Sequence, residues 1–140
     1  MNRLVLLSFE QVVSGWGDLQ KHLLWPQFEE NYTVGWLQEQ VARGHLQVWA
    51  LGEGEMVVLT QIAVLPSGLR ALELIWAHGK STEDYIELAF DTFQRFASFA
   101  NCKRIDIRGR AGWARKFRKL PGVRTEYIYS VGVPPLEKGH

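Results

Sequence analysis

The densest concentration of chemistry in the chain is a run of bases. Residues 103–119 hold Lys103, Arg104, Arg108, Arg110, Arg115, Lys116, Arg118 and Lys119 against one acid, Asp106. The formal net charge of the whole chain is only +1, so the remaining residues are net acidic. A patch of this density attracts anions. The alternative is a solvated face whose charges are spread around a short helix. Within the run, Arg108, Arg110 and Arg115 stand beside Gly109 and Gly112. Glycine permits a positive φ or a close backbone approach, and guanidinium groups fork onto phosphate oxygens. This stretch therefore reads either as a phosphate or partner site, or as a tight strand-to-helix turn pinned by Trp113.

Other reactive patterns are missing. There is no G-x-S-x-G nucleophile elbow, no Walker sequence and no dinucleotide fingerprint. Cys102 is the single cysteine, which excludes an internal disulfide and a cysteine metal cage. His22, His45, His78 and His140 show no ligand spacing, and no metal is expected. Hydrophobic residues make up 46% of the chain and charged residues 22%, the balance of a globular domain. At 140 residues the expectation is one domain over 1–133, with a loose tail over 134–140 after Pro134-Pro135. The apolar run at 4–7 is followed at once by polar residues, so no signal peptide is expected. No stretch approaches the roughly 20 apolar residues of a membrane span. A reducing cytoplasm is the expected compartment.

The elements that must position these groups follow from periodicity. Phe9, Val12, Val13, Trp16, Leu19, Leu23 and Leu24 are spaced as one helical face over 8–25, interrupted by Gly15 and Gly17 and closed by Pro26. Thr33 caps a second helix through Val34, Leu37 and Val41, which Gly44 stops. Residues 45–51, 55–65 and 69–77 then read as three strands joined by turns at 52–54 and 66–68, an antiparallel meander. A long helix follows, capped by Ser81 or Thr82. Ile86, Phe90, Phe93, Ala97 and Ala100 form its stripe, Leu88, Phe96 and Phe99 broaden it, and Asn101 closes it. Residues 103–108 alternate as a strand, 113–120 read as a short helix and 124–133 as a last strand. The order α-α-β-β-β-α-β-α-β predicts an α+β fold, a mixed and mainly antiparallel sheet flanked by helices.

This order resembles the Gcn5-related N-acetyltransferase (GNAT) fold over roughly residues 8–133, with the family's first short strand weak here. The run from Ile107 to Arg115, with its G-R-x-G-W-x-R pattern, looks more narrowly like small GNAT-like proteins encoded in tailed phages and prophages. The strand GHLQVWAL at 44–51 and the sequence Cys102-Lys103-Arg104-Ile105 fit the same likeness. The resemblance implies acetyl-CoA as cofactor, its pyrophosphate at the loop leading into the long helix. There Gly79, Lys80, Ser81 and Thr82 offer N–H groups, hydroxyls and one ammonium. The first Gln/Arg and the second small residue of the family loop do not map. Gly79 is thus either part of a phosphate loop or simply a strand end, and Ser81 a helix cap.

Transfer from a thioester to an amine needs a base and a donor for the leaving thiolate. On this resemblance the base candidates are Glu55, Glu73 and His78. Glu73 alternates with Leu72 and Leu74, so it either faces solvent or lines a cleft. Tyr127 is the candidate thiolate donor, with Tyr129 on the same face. Three functions compete: an acetyl-CoA-dependent N-acyltransferase, a non-catalytic phage accessory or virion-associated protein, and nucleic-acid binding through residues 103–119. The second would bind a protein partner of phage or host through exposed aromatics such as Trp25, Phe28, Tyr32 and Trp36.

Overall fold

A computed structural model describes residues 4–23, 31–51, 55–79, 82–107 and 131–135. Strands β1 (Leu4–Leu6), β2 (Leu46–Leu51), β3 (Met56–Val64), β4 (Arg70–Gly79) and β5 (Arg104–Ile107) form one sheet in chain order. The first three pairings are antiparallel and β4–β5 is parallel. Helices α1 (Phe9–Ser14), α2 (Trp16–Leu23) and α3 (Val34–Ala42) precede the meander, and α4 (Thr82–Phe99) makes the crossover from β4 to β5. This is the expected α+β architecture. The expected last helix and strand lie outside the described residues. Among the described residues, no helix is long and apolar enough to cross a membrane.

Local chemistry explains each boundary. Ser8 and Gln11 form a reciprocal capping box: Ser8 Oγ accepts from the Gln11 N–H, and Gln11 Oε1 accepts from the Ser8 N–H. The single helix expected over 8–25 is broken at Gly15, and α2 restarts at Trp16. The break divides the expected stripe. Val12, Leu19 and Leu23 are buried, whereas Phe9 and Val13 are exposed and line a shallow apolar cleft of about 470 Å³ between α1 and α3. Thr33 Oγ1 accepts from the Trp36 N–H, and Gly44 takes a positive φ of 74° after α3. Asn101 ends α4 with φ 60°, in the left-handed region where asparagine is tolerated.

The sheet separates two cores. On one face, Val48, Val57, Leu59 and Ile75 pack against Val12, Leu19, Leu23, Leu37 and Val41 of α1–α3. On the other, Trp49, Met56, Val58, Leu72 and Leu74 pack against Ala89, Phe93 and Ala97 of α4. β3 is covered on both sides, so its first half reads as an unbroken apolar run. Ile105 and Ile107 also pack on the α4 side. Phe96 packs there too, but Phe99, expected to broaden the same stripe, is 87% exposed. The N-terminal strand β1, missing from the expected order, hydrogen-bonds in register with β2. Tyr32 and Trp36, expected as exposed aromatics, are half-buried, stacked on each other and packed against the α1–α3 core.

One polar relay crosses the α4 face. Trp49 Nε1 donates to Thr60 Oγ1 at 2.9 Å, and the Thr60 hydroxyl donates to Gln47 Oε1 at 2.9 Å. Thr60 is fully buried. Thr60→Val keeps the shape but orphans the indole N–H, and is expected to cost about 1–3 kcal/mol. A urea unfolding midpoint that falls with an unchanged slope checks this.

Candidate functional site

The chemistry of β4 is set by an irregularity in its pairing. Leu59 is opposite Trp76 while Thr60 is opposite Leu74, which leaves Ile75 as a bulged extra residue. Simple alternation would put Glu73 and His78 on opposite faces of the sheet. The bulge shifts the phase by one, so Glu73, Ile75, Trp76 and His78 all lie on the face that carries α1–α3, and Leu72, Leu74 and Ala77 on the α4 face. At about 3.3 Å per residue, Glu73 and His78 are roughly 14 Å apart along the strand, too far to act as one acid–base pair.

Glu73 belongs to the lower half of β4, where β5 is paired. It is buried, 8% exposed, which settles its orientation against the solvent-facing alternative. Gln61 Nε2 donates to its Oε1 at 3.2 Å from the neighbouring strand. Asp106 is its register partner on β5 and pairs with Arg104 at 3.0 Å. Glu55 sits exposed in the turn before β3.

His78 belongs to the upper half, past the bulge and one residue before Gly79. Its Nδ1 lies 2.9 Å from Nδ1 of His22, in the last turn of α2, with the two rings edge-on at 5.1 Å. Two positions earlier, Trp76 Nε1 donates to the backbone carbonyl of His22 at 2.9 Å. His22 was not among the sequence candidates. Nothing in its spacing marks it, because its partner is 56 residues away.

Gly79 is the last residue of β4, opposite Met56. It takes φ 154°, and a Cβ there would collide with the Glu55 carbonyl oxygen and the Met56 backbone. Its glycine is therefore required by the close approach of β3. Thr82 is the first residue of α4. Lys80, Ser81, Arg108, Arg110, Arg115, Tyr127 and Tyr129 lie outside the described residues, as do Trp25 and Phe28.

Among the described residues, β5 pairs β4 only over Ala71–Leu74, and the next residue is the bulge. A bulge bends its strand and increases the local twist. A phosphate fits the start of a long helix.

No protein-family model matches the chain, and no curated protein does. Its architecture nevertheless matches solved structures along nearly all of its length. It is similar to a predicted acetyltransferase with acetyl-CoA from Clostridium acetobutylicum, at 13% identity and TM-score 0.67, covering 94% of this chain and 96% of that one. It is also similar to ribosomal-protein-alanine N-acetyltransferase from Brucella melitensis biovar Abortus 2308, at 10% identity and TM-score 0.62, covering 93% and 99%. A third similar structure is AAC(6')-Iy in complex with the bisubstrate analogue CoA-S-monomethyl-acetylneamine, at 14% identity and TM-score 0.68, covering 96% and 99%. The chain has the fold of the GNAT acetyltransferases, a five-stranded mixed sheet flanked by helices.

Proposed function

We propose that this protein is an N-acyltransferase that takes its acyl group from acetyl-CoA. The observation that carries the reading is the bulge at Ile75, which puts His78 on the α1–α3 face of β4, four residues before the start of α4. The upper half of β4 would bind the pantetheine arm through its backbone, while Gly79, Lys80, Ser81 and Thr82 would hold the pyrophosphate. Bound acetyl-CoA supplies the activated thioester carbonyl. His78 is our candidate to accept the proton released by an attacking amine, and Tyr127 our candidate to protonate the departing thiolate. Glu73 sits in the paired half of the strand, and we assign it to the sheet rather than to proton transfer. The two similar structures that contain acetyl-CoA or a CoA-bearing analogue support the choice of cofactor, by fold alone.

Thermal unfolding with acetyl-CoA, CoA and ATP tests this. Ligand at 100 times its Kd is expected to add about 2.7 kcal/mol, a shift of several degrees. Acetyl-CoA and CoA should both shift the midpoint and ATP should not, and Lys80→Ala should shrink the shift. Equal shifts with all three would instead favour general anion binding by residues 103–119. No shift at saturation would leave the alternative, a GNAT scaffold serving a protein partner as in the phage-encoded proteins its motifs resemble.

A further inference from the structure

Two residues of β4 grip one residue of α2. Trp76 Nε1 donates to the backbone carbonyl of His22 at 2.9 Å, and the His78 ring meets the His22 ring edge-on at 5.1 Å. Trp76 reaches α2 only because of the bulge: in simple alternation with Ile75 it would point to the α4 face. The carbonyl it serves has a particular need of a donor. An α-helix leaves its last carbonyls without intrahelical partners, and His22 is the next-to-last residue of α2. The residue four positions on, whose N–H would extend the helical ladder, is Pro26, and proline has no N–H. No α-helical bond can therefore satisfy the His22 carbonyl. The indole of Trp76 supplies a donor from across the fold.

We propose that Trp76 is a positioning residue for His78. Its bond to the His22 carbonyl fixes the last turn of α2, and with it the imidazole against which the His78 ring rests. The contact between the two rings is all that this requires, whichever of them carries the proton between them. The inference rests on the acyl-transfer reading above, in which His78 is the candidate proton acceptor. Such a base must meet the attacking amine within hydrogen-bond reach, and a displacement of about 1 Å is enough to slow the reaction. Trp76 acts on that base through His22.

Mutation separates the carbonyl of His22 from its ring. Trp76→Phe keeps most of the apolar bulk and removes the donor, whereas His22→Ala keeps the carbonyl and removes the ring. The experiment compares both variants and the double variant in the full chain, well below their unfolding temperatures. Its readouts are the His78 ring signals of ¹⁵N-histidine-labelled protein, and thiol release from acetyl-CoA with a panel of primary amines. Trp76→Phe is expected to shift the His78 signals and lower kcat by roughly tenfold or more, with KM for acetyl-CoA within about twofold. In the His22→Ala background the same substitution should leave the His78 signals in place and change kcat by less than about twofold, because the transmitting ring is gone. Equal losses of kcat in both backgrounds mean that Trp76 only supports the fold, and overturn the proposal. His78 signals unmoved by Trp76→Phe overturn it too, and need no second variant if the double variant does not fold. Wild-type protein that neither binds acetyl-CoA nor releases thiol overturns the acyl-transfer reading and the role of Trp76 with it. Turnover in the wild type with equal losses in the two backgrounds removes the role of Trp76 alone.

Discussion

Gly79→Ala is expected to destabilise the fold by about 4 kcal/mol, roughly half from a backbone conformation that side chains avoid and half from overpacking. The residue holds φ 154°, and the added methyl group would meet the carbonyl oxygen of Glu55 and the backbone of Met56. Neither obstacle is a side chain that can rotate away. Relief requires β3 and β4 to separate at the Met56–Gly79 pair, next to the turn into α4. Urea unfolding of the full chain measures this, and a loss under about 1 kcal/mol would mean that the strands yield more easily than overpacked interiors do. The substitution is therefore a poor probe of phosphate binding. It would weaken the proposed acetyl-CoA binding by deforming the end of β4, even if Gly79 never touched the cofactor.

Phe93→Ala is expected to cost about 3–5 kcal/mol, the range for emptying an aromatic site in a packed core. Phe93 is 1% exposed and meets Trp49 edge-on at 5.3 Å, while Phe96 meets the same indole at 5.2 Å. The methyl group left behind would open a void between α4 and the sheet beside Trp49. A lower urea midpoint together with altered near-ultraviolet circular dichroism checks the prediction. Phe93→Leu should cost under about 1.5 kcal/mol if adjacent side chains take up the difference in shape. The interest lies in where the void would sit. α4 is the crossover that brings β5 beside β4, and its first residues adjoin the proposed cofactor seat.

Most of the frame was legible in the sequence, because burial writes itself as periodicity. The stripe through Phe93 and Ala97 gave α4 and Asn101 its end, the β-branched run at 55–65 gave β3, and Thr33 and Gly44 marked the ends of α3. The first strand was missed because three residues are too few for a period. Its pairing with β2 across an intervening helical segment leaves no local trace. The capping box at Ser8 and Gln11 was available as a four-residue pattern and would have fixed the start of α1.

The site was less legible, for one physical reason. Alternation along β4 assigns faces correctly up to Ile75 and wrongly beyond it, because Ile75 is inserted against β3. The only hint is three consecutive apolar residues, Leu74, Ile75 and Trp76, where a half-buried strand would alternate. Glu73 was thus left between solvent and cleft when it is buried beside Gln61, and His78 was read alone when its ring meets His22. Contacts between distant segments carry no sequence signature of their own.

The chain order of the sheet also sets an order of assembly. β2, β3 and β4 are joined by short turns, so their ladder can close with little loss of chain freedom and form early. β1 is different: the Leu7 amide reaches the carbonyl of Val48, closing a loop of about 40 residues whose entropy must be met before the edge gains anything. Leu4 is buried but Val5 and Leu6 are both exposed, so only part of the strand repays that closure. The N-terminal rim is accordingly expected to dock last and to exchange its amide protons before the core strands, while β3 is covered on both faces.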